Sequence, residues 1–119
     1  MLRWVVLRHT LSDGTWHFDW LFETAADQGL VSLRVQSELC AGEFACERMG
    51  EHRRAYLTFE GDIGGGRGSV ARVQAGEIIR IVADDISVRA YLQVATQHDS
   101  QRFHIDATST RVVVTAMAQ

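Results

Sequence analysis

Apolar and polar positions alternate along most of this chain with the period of two that a β-strand imposes. Runs rich in Val, Ile, Phe, Tyr and Trp occupy residues 2–9, 16–23, 29–35, 53–60, 68–74, 77–83, 85–94, 101–107 and 110–116. Asp-Gly, Gln-Gly, Ala-Gly, Asp-Asp and His-Asp-Ser punctuation separates them, which are the residue types that turns select. Short, fairly regular spacing of this kind predicts an all-β fold, a small antiparallel β-barrel spanning residues 1–119 as one domain. Residues 36–52 carry some helical character, but Gly42 and Gly50 argue against a long helix. One long loop with at most a single turn is expected there. The stretch GDIGGGRGS (61–69) joins two strands; it either lets backbone approach a neighbour closely or forms a plain mobile hairpin.

The first two strands flank the turn signal Ser12-Asp13-Gly14. Pairing His9 with His17 sets Leu7 opposite Asp19, Val5 opposite Leu21 and Arg3 opposite Glu23. The other face then stacks Trp4 on Phe22 and Val6 on Trp20, with Arg8 beside Phe18. This register separates an aromatic slab from a face that carries His9, His17 and Asp19, and a one-residue slip would mix the two sets. Residues two apart on a strand point the same way about 6.5–7 Å apart, so His17 and Asp19 can converge on one cation while His9 reaches across. Two imidazoles and a carboxylate suit a divalent ion with open coordination positions. Spacing alone leaves open a surface His-x-Asp pair beside an unrelated histidine.

Composition narrows the classes. Hydrophobic residues make up 46% and charged residues 23%, as in ordinary globular domains. No apolar run is long enough for a membrane span, and residues 1–7 do not form a secretory signal, so a cytoplasmic protein is expected, monomeric and without a membrane partner. The net charge of −3 excludes a global basic field for nucleic acid, so any such partner must be gripped locally. All twelve basic residues are arginine, and Pro is absent. Cys40 and Cys46 are wrongly spaced for a zinc knuckle and are expected to be free thiols.

A second polar stripe lies in EHRRAYLTFEG (51–61). Read as a strand, Arg53, Ala55, Leu57 and Phe59 form its buried side, and His52, Arg54, Tyr56, Thr58 and Glu60 the other. A His and a Tyr with an Arg between them form an acid/base and phosphate-binding set, although a solvated strand face has the same appearance. Among the other histidines, His98 is expected in an exposed turn. His104-Ile105-Asp106 repeats the His-x-Asp spacing, but an iron triad of His17, Asp19 and His104 is disfavoured by the short chain and the lack of a co-substrate arginine motif.

Taken together, RHTLSDGTWHFDWLFE, GLVSLRV, EHRRAYLTFEG and GGGRGSV resemble, in order and approximate spacing across residues 3–74, the 3′-phosphoesterase domain of bacterial DNA ligase D and its free-standing relatives. The resemblance implies a β-barrel with a metal in a surface pocket, Mn²⁺ in the typical account with Zn²⁺ or Co²⁺ as alternatives, and trimming of phosphates or ribonucleotides from a nucleic-acid 3′ end, a step in DNA repair. It implies His9, His17 and Asp19 as metal ligands and His52 and Tyr56 beside the scissile phosphate. The chain departs from the pattern at Leu21, where the family has an arginine, and at Gly50, where it has a glutamate. The stretch before His9 is too short for the family's N-terminal catalytic residues. Arg54 or Arg67 is expected to supply the missing positive charge. The expected function is therefore a metal-dependent phosphoesterase of weak or altered activity, or else a non-catalytic module that binds phosphate or nucleic-acid ends on the same barrel.

Overall fold

The computed structural model describes residues 1–95 and 100–118. Nine antiparallel strands form one sheet: β1 Arg3–Thr10, β2 Trp16–Phe22, β3 Leu30–Val35, β4 Gly42–His52, β5 Gly61–Asp62, β6 Ser69–Ala83, β7 Val88–Ala95, β8 Ser100–Ala107 and β9 Arg111–Met117. The order β1-β2-β3-β4-β9-β8-β7-β6, closed by a β1–β6 pairing, runs a ring of hydrogen bonds through eight strands, with β5 appended to β6. The fold is barrel-like, as the alternating pattern predicts, and its only helix among the described residues is a 3-10 turn at Arg54–Leu57. No helix among those residues is long and apolar enough to cross a membrane. The turn expected around His98 lies outside the described residues.

The β1–β2 register is the one the hydrophobic pattern predicts, with Trp4 opposite Phe22, Val6 opposite Trp20, Leu7 opposite Asp19 and His9 opposite His17. Asp13 fixes the intervening turn by accepting hydrogen bonds from the Thr15 amide at 2.9 Å and hydroxyl at 2.6 Å, and Gly14 takes the positive φ there. Trp4, Val6, Phe18, Trp20 and Phe22 point inward to the main core with Leu33, Leu92 and Ile105. The outer face of the same strands is also covered. Val5, Leu7, Leu21 and Leu30 pack there against Leu57 and Val70, flanked by Tyr56 and Ile63. Burial on both faces explains the nearly unbroken apolar run of β1. It also encloses the polar residues that share that outer face.

Three expectations are corrected. The long loop at 36–52 is mostly strand: β4 begins at Gly42, and Phe44, Cys46 and Arg48 alternate with exposed Glu43, Ala45 and Glu47. Its glycines disguised it. Gly42 enters the strand with a φ of +146° and Gly50 meets open space, so neither breaks the pairing. The strand expected over 53–60 is instead the 3-10 turn, in which only Leu57 is buried, while Arg53, Ala55 and Phe59 are exposed. Finally, 68–74 and 77–83 are one strand. Gly76 is not a turn but a close approach: a Cβ there would lie 2.1 Å from the Gln93 carbonyl oxygen and 2.7 Å from Trp4 Nε1. β6 therefore passes from pairing β1 to pairing β7 without leaving the sheet, and this closes the ring.

The 3-10 turn is held over β1–β3 by a buried carboxylate. Glu23, 3% exposed, accepts from the Arg3 amide at 2.8 Å and Arg3 Nε at 3.1 Å, and pairs with Arg54 Nη2. Arg54 also donates to the carbonyls of Ala25 and Gln28. Burial raises the Glu23 carboxyl, but the Arg54 and Arg3 hydrogen bonds outweigh it and hold it below its ordinary value of 4.5. A carboxyl lowered in the folded chain contributes stability above that ordinary value, and the contribution is lost as pH falls through the folded value. Glu23→Gln is therefore expected to cost about 1–3 kcal/mol at neutral pH and to remove part of the acid-induced fall in Tm. Thermal melts from pH 7 to 3 check this; a variant with the wild-type profile would contradict it.

Candidate metal centre

The β1–β2 hairpin brings His9, His17 and Asp19 together on the covered outer face, with one ligand atom from each lying within 4.8 Å of the others. Asp19 Oδ1 lies 3.3 Å from His17 Nε2, and Oδ2 lies 3.8 Å from His9 Nδ1. The imidazole rings meet edge to face at 4.8 Å. Asp19 and His17 are buried, at 3% and 4% exposed. Neither is satisfied by the protein. The 3.3 Å contact lacks hydrogen-bond geometry, and His17 Nε2 and Asp19 Oδ1 are buried with no hydrogen-bond partner. Buried polar atoms without partners are rare in native structures and call for an ion or water.

The donor chemistry fits a cation. His9 Nε2 lies 2.8 Å from the Arg67 carbonyl oxygen, which can only accept, so this nitrogen carries a proton and it is Nδ1 that faces Asp19. Burial lowers the pKa of His17; the Asp19 carboxylate opposes that, and Arg34 and His9 reinforce it. The net shift favours the neutral imidazole, the form that ligates metal. Two imidazole nitrogens and a carboxylate thus face one another at a buried point, a donor set that a divalent cation fits.

The Gly-rich loop supplies the Arg67 carbonyl by close approach to β1. Gly68 has a φ of +93°, and a Cβ on it would sit 2.0 Å from the Thr10 carbonyl oxygen. Of the two purposes considered for the glycines, close approach is the one this position serves.

An open pocket of about 390 Å³ lies over the cluster, lined by His9 and Asp19 on the sheet side and by His52, Arg53, Tyr56 and Arg67 on the covering side. His52 Nδ1 donates to the Gly50 carbonyl at 3.1 Å, which fixes the ring through that nitrogen and leaves Nε2 as its other polar atom. The His52 and Tyr56 rings meet edge to face at 5.9 Å, and the Arg53 guanidinium sits 5.9 Å from the Tyr56 ring centre. Arg67 lines the pocket, but its guanidinium donates to the carbonyls of Gly64 and Ile63. Arg54 does not line it and is held by Glu23. Of the residues expected at the site, His9, His17, Asp19, His52, Tyr56 and Arg67 are brought together, and Arg54 is a structural tie instead. His104 is not part of the cluster; it packs on Tyr91 at 4.7 Å. Cys40 and Cys46 are free.

Arg34 was missed. It pairs with Asp19 across β2–β3, and its Nε lies 3.9 Å from Asp19 Oδ1. Alternation along β3 places it on the outer face, yet the seven residues between β2 and β3 conceal which β2 residue it meets. No protein-family model matches this chain, and no curated protein matches it.

Proposed function

We propose that His9, His17 and Asp19 hold a divalent cation and that the chain acts on phosphate esters, with a phosphate at a nucleic-acid 3′ end as the substrate. The observation that carries this reading is the pair of buried, unpartnered ligand atoms, His17 Nε2 and Asp19 Oδ1, beside His9 Nδ1. A cation bound there supplies charge neutralisation at phosphate and a more acidic water. The chain's own residues do the rest. His52, with Nδ1 fixed on the Gly50 carbonyl, presents Nε2, which as imidazolium would protonate a leaving oxygen or hold a phosphoryl oxygen. Tyr56 presents its phenol beside it, steadied by Arg53 and Phe59. The 3′-end specificity and the choice of Mn²⁺ over Zn²⁺ or Co²⁺ rest on the resemblance in residues 3–74. The acidic net charge and the Leu21 departure favour slow turnover, and a purely binding role is the second reading.

Calorimetric titration with Mn²⁺, followed by incubation with primers ending in a 3′ phosphate or a single 3′ ribonucleotide, tests this. Metal uptake and a trimmed product support hydrolysis, with His52→Ala lowering the rate by about 10²–10⁴-fold. Metal uptake with retention of 3′-phosphorylated ends but no product selects the binding role. Absence of metal uptake removes both.

A further inference from the structure

We infer that Arg34 is the phosphate-binding cation of this site, a role that rests on the metal reading above and that neither Arg54 nor Arg67 is placed to fill. The buried side-chain atoms without a hydrogen-bond partner among the described residues are His17 Nε2, Asp19 Oδ1, Ser32 Oγ and Arg34 Nε. All four lie on the same outer face of two adjacent strands, where Asp19 pairs with Arg34 and Leu21 with Ser32. The unsatisfied region therefore does not stop at the metal cluster; it continues across β2 onto β3. Its two ends have opposite chemistry. One presents two imidazoles and a carboxylate, a set that suits a cation. The other presents a guanidinium N–H with no acceptor, which selects an oxyanion.

The pairing with Asp19 does not explain Arg34. At 3.9 Å the contact from Nε is too long for a hydrogen bond, and an arginine whose purpose was to neutralise Asp19 would close on it. The Arg34 side chain is 36% exposed, so atoms beyond the buried Nε remain open to an incoming group. Arg54 is engaged by Glu23 and Arg67 by loop carbonyls, while Arg53 lies over the Tyr56 ring on the covering side of the pocket. Arg34 stands outside the pocket lining but directly beside Asp19, with its Nε unengaged. Arg34 reaches the site from β3, whereas the charge absent at Leu21 would have come from β2.

The test compares wild type, Arg34→Gln and Arg34→Lys, first titrated with Mn²⁺ alone. Inorganic phosphate is then added to the Mn²⁺-loaded proteins and followed by phosphorus NMR line broadening. Arg34→Gln should bind Mn²⁺ at least as tightly as wild type, because a cation beside Asp19 has been removed. Its phosphate affinity should fall about 10–100-fold. Arg34→Lys keeps the charge but not the fork and should lie between; it carries the test if Arg34→Gln lowers stability. Phosphate affinity unchanged in Mn²⁺-loaded Arg34 variants, or lost instead in Arg67→Gln, overturns the role of Arg34 and leaves the metal reading standing. Failure of wild type to take up Mn²⁺ overturns both.

Discussion

Asp19→Asn is expected to weaken divalent-metal binding by about a hundredfold or more. Asparagine keeps the volume and one carbonyl oxygen but removes the negative charge from a position 3% exposed and flanked by two imidazoles. A saturating metal should add to the thermal stability of wild type by mass action, about 2.7 kcal/mol at a hundredfold excess over Kd. The variant should show none of that gain. Without metal the two proteins should melt close together, because the carboxylate lost is one whose Oδ1 has no hydrogen-bond partner and whose neighbour Arg34 can reach water. Calorimetric scans with and without Mn²⁺ or Zn²⁺ separate these contributions. Equal metal-dependent stabilisation of both proteins would remove Asp19 from the ligand set.

Gly68→Ala is expected to be the most damaging single methyl addition near the site. The residue sits at a φ of +93°, which costs an L side chain about 1–2 kcal/mol. The new Cβ would also lie 2.0 Å from the Thr10 carbonyl oxygen, a backbone atom of β1 that cannot swing aside. The loop must lift, and the Arg67 carbonyl leaves His9 Nε2 with it. Losing that partner frees the His9 ring to rotate or change tautomer, so metal affinity should drop about 10–100-fold even though every ligand is present. Loss of the β1–β6 end pairing between Thr10 and Ser69 should lower stability by about 2–4 kcal/mol. Gly66→Ala is the control, since a Cβ there meets nothing within 4 Å and only the positive φ is penalised. Metal affinity equal to wild type in Gly68→Ala would show that the loop does not orient His9.

Much of the site was legible because it sits on a two-strand hairpin. The turn at Asp13-Gly14 fixes the offset, the period of two fixes the faces, and together they pair His9 with His17 and put Asp19 beside them. His52 and Tyr56 were singled out for a different reason, the resemblance of their segment to a family motif, and the strand expected there holds for His52, at the end of β4, but not for Tyr56. As a 3-10 turn, residues 54–57 lower Tyr56 toward the sheet and turn Arg54 into Glu23. Alternation cannot reveal this, because the partner that determines it lies just past the end of β2, thirty-one positions away. β4 was missed through the opposite error: two glycines suggested a break where the neighbouring strands β3 and β9 keep the segment extended.

Sequence by itself determined the all-β class, the first hairpin with its register, the inward aromatic slab and the set of metal-ligating residue types. Each depends on contacts close along the chain, where periodicity and turn chemistry suffice. Tertiary structure alone decided that the outer face of β1–β3 is covered. Burial there strips His17 and Asp19 of water and leaves their ligand atoms without partners. It also decided which arginine stands beside Asp19, because strand neighbours joined by longer connections are selected by packing of the whole sheet, and local pattern carries no record of that choice.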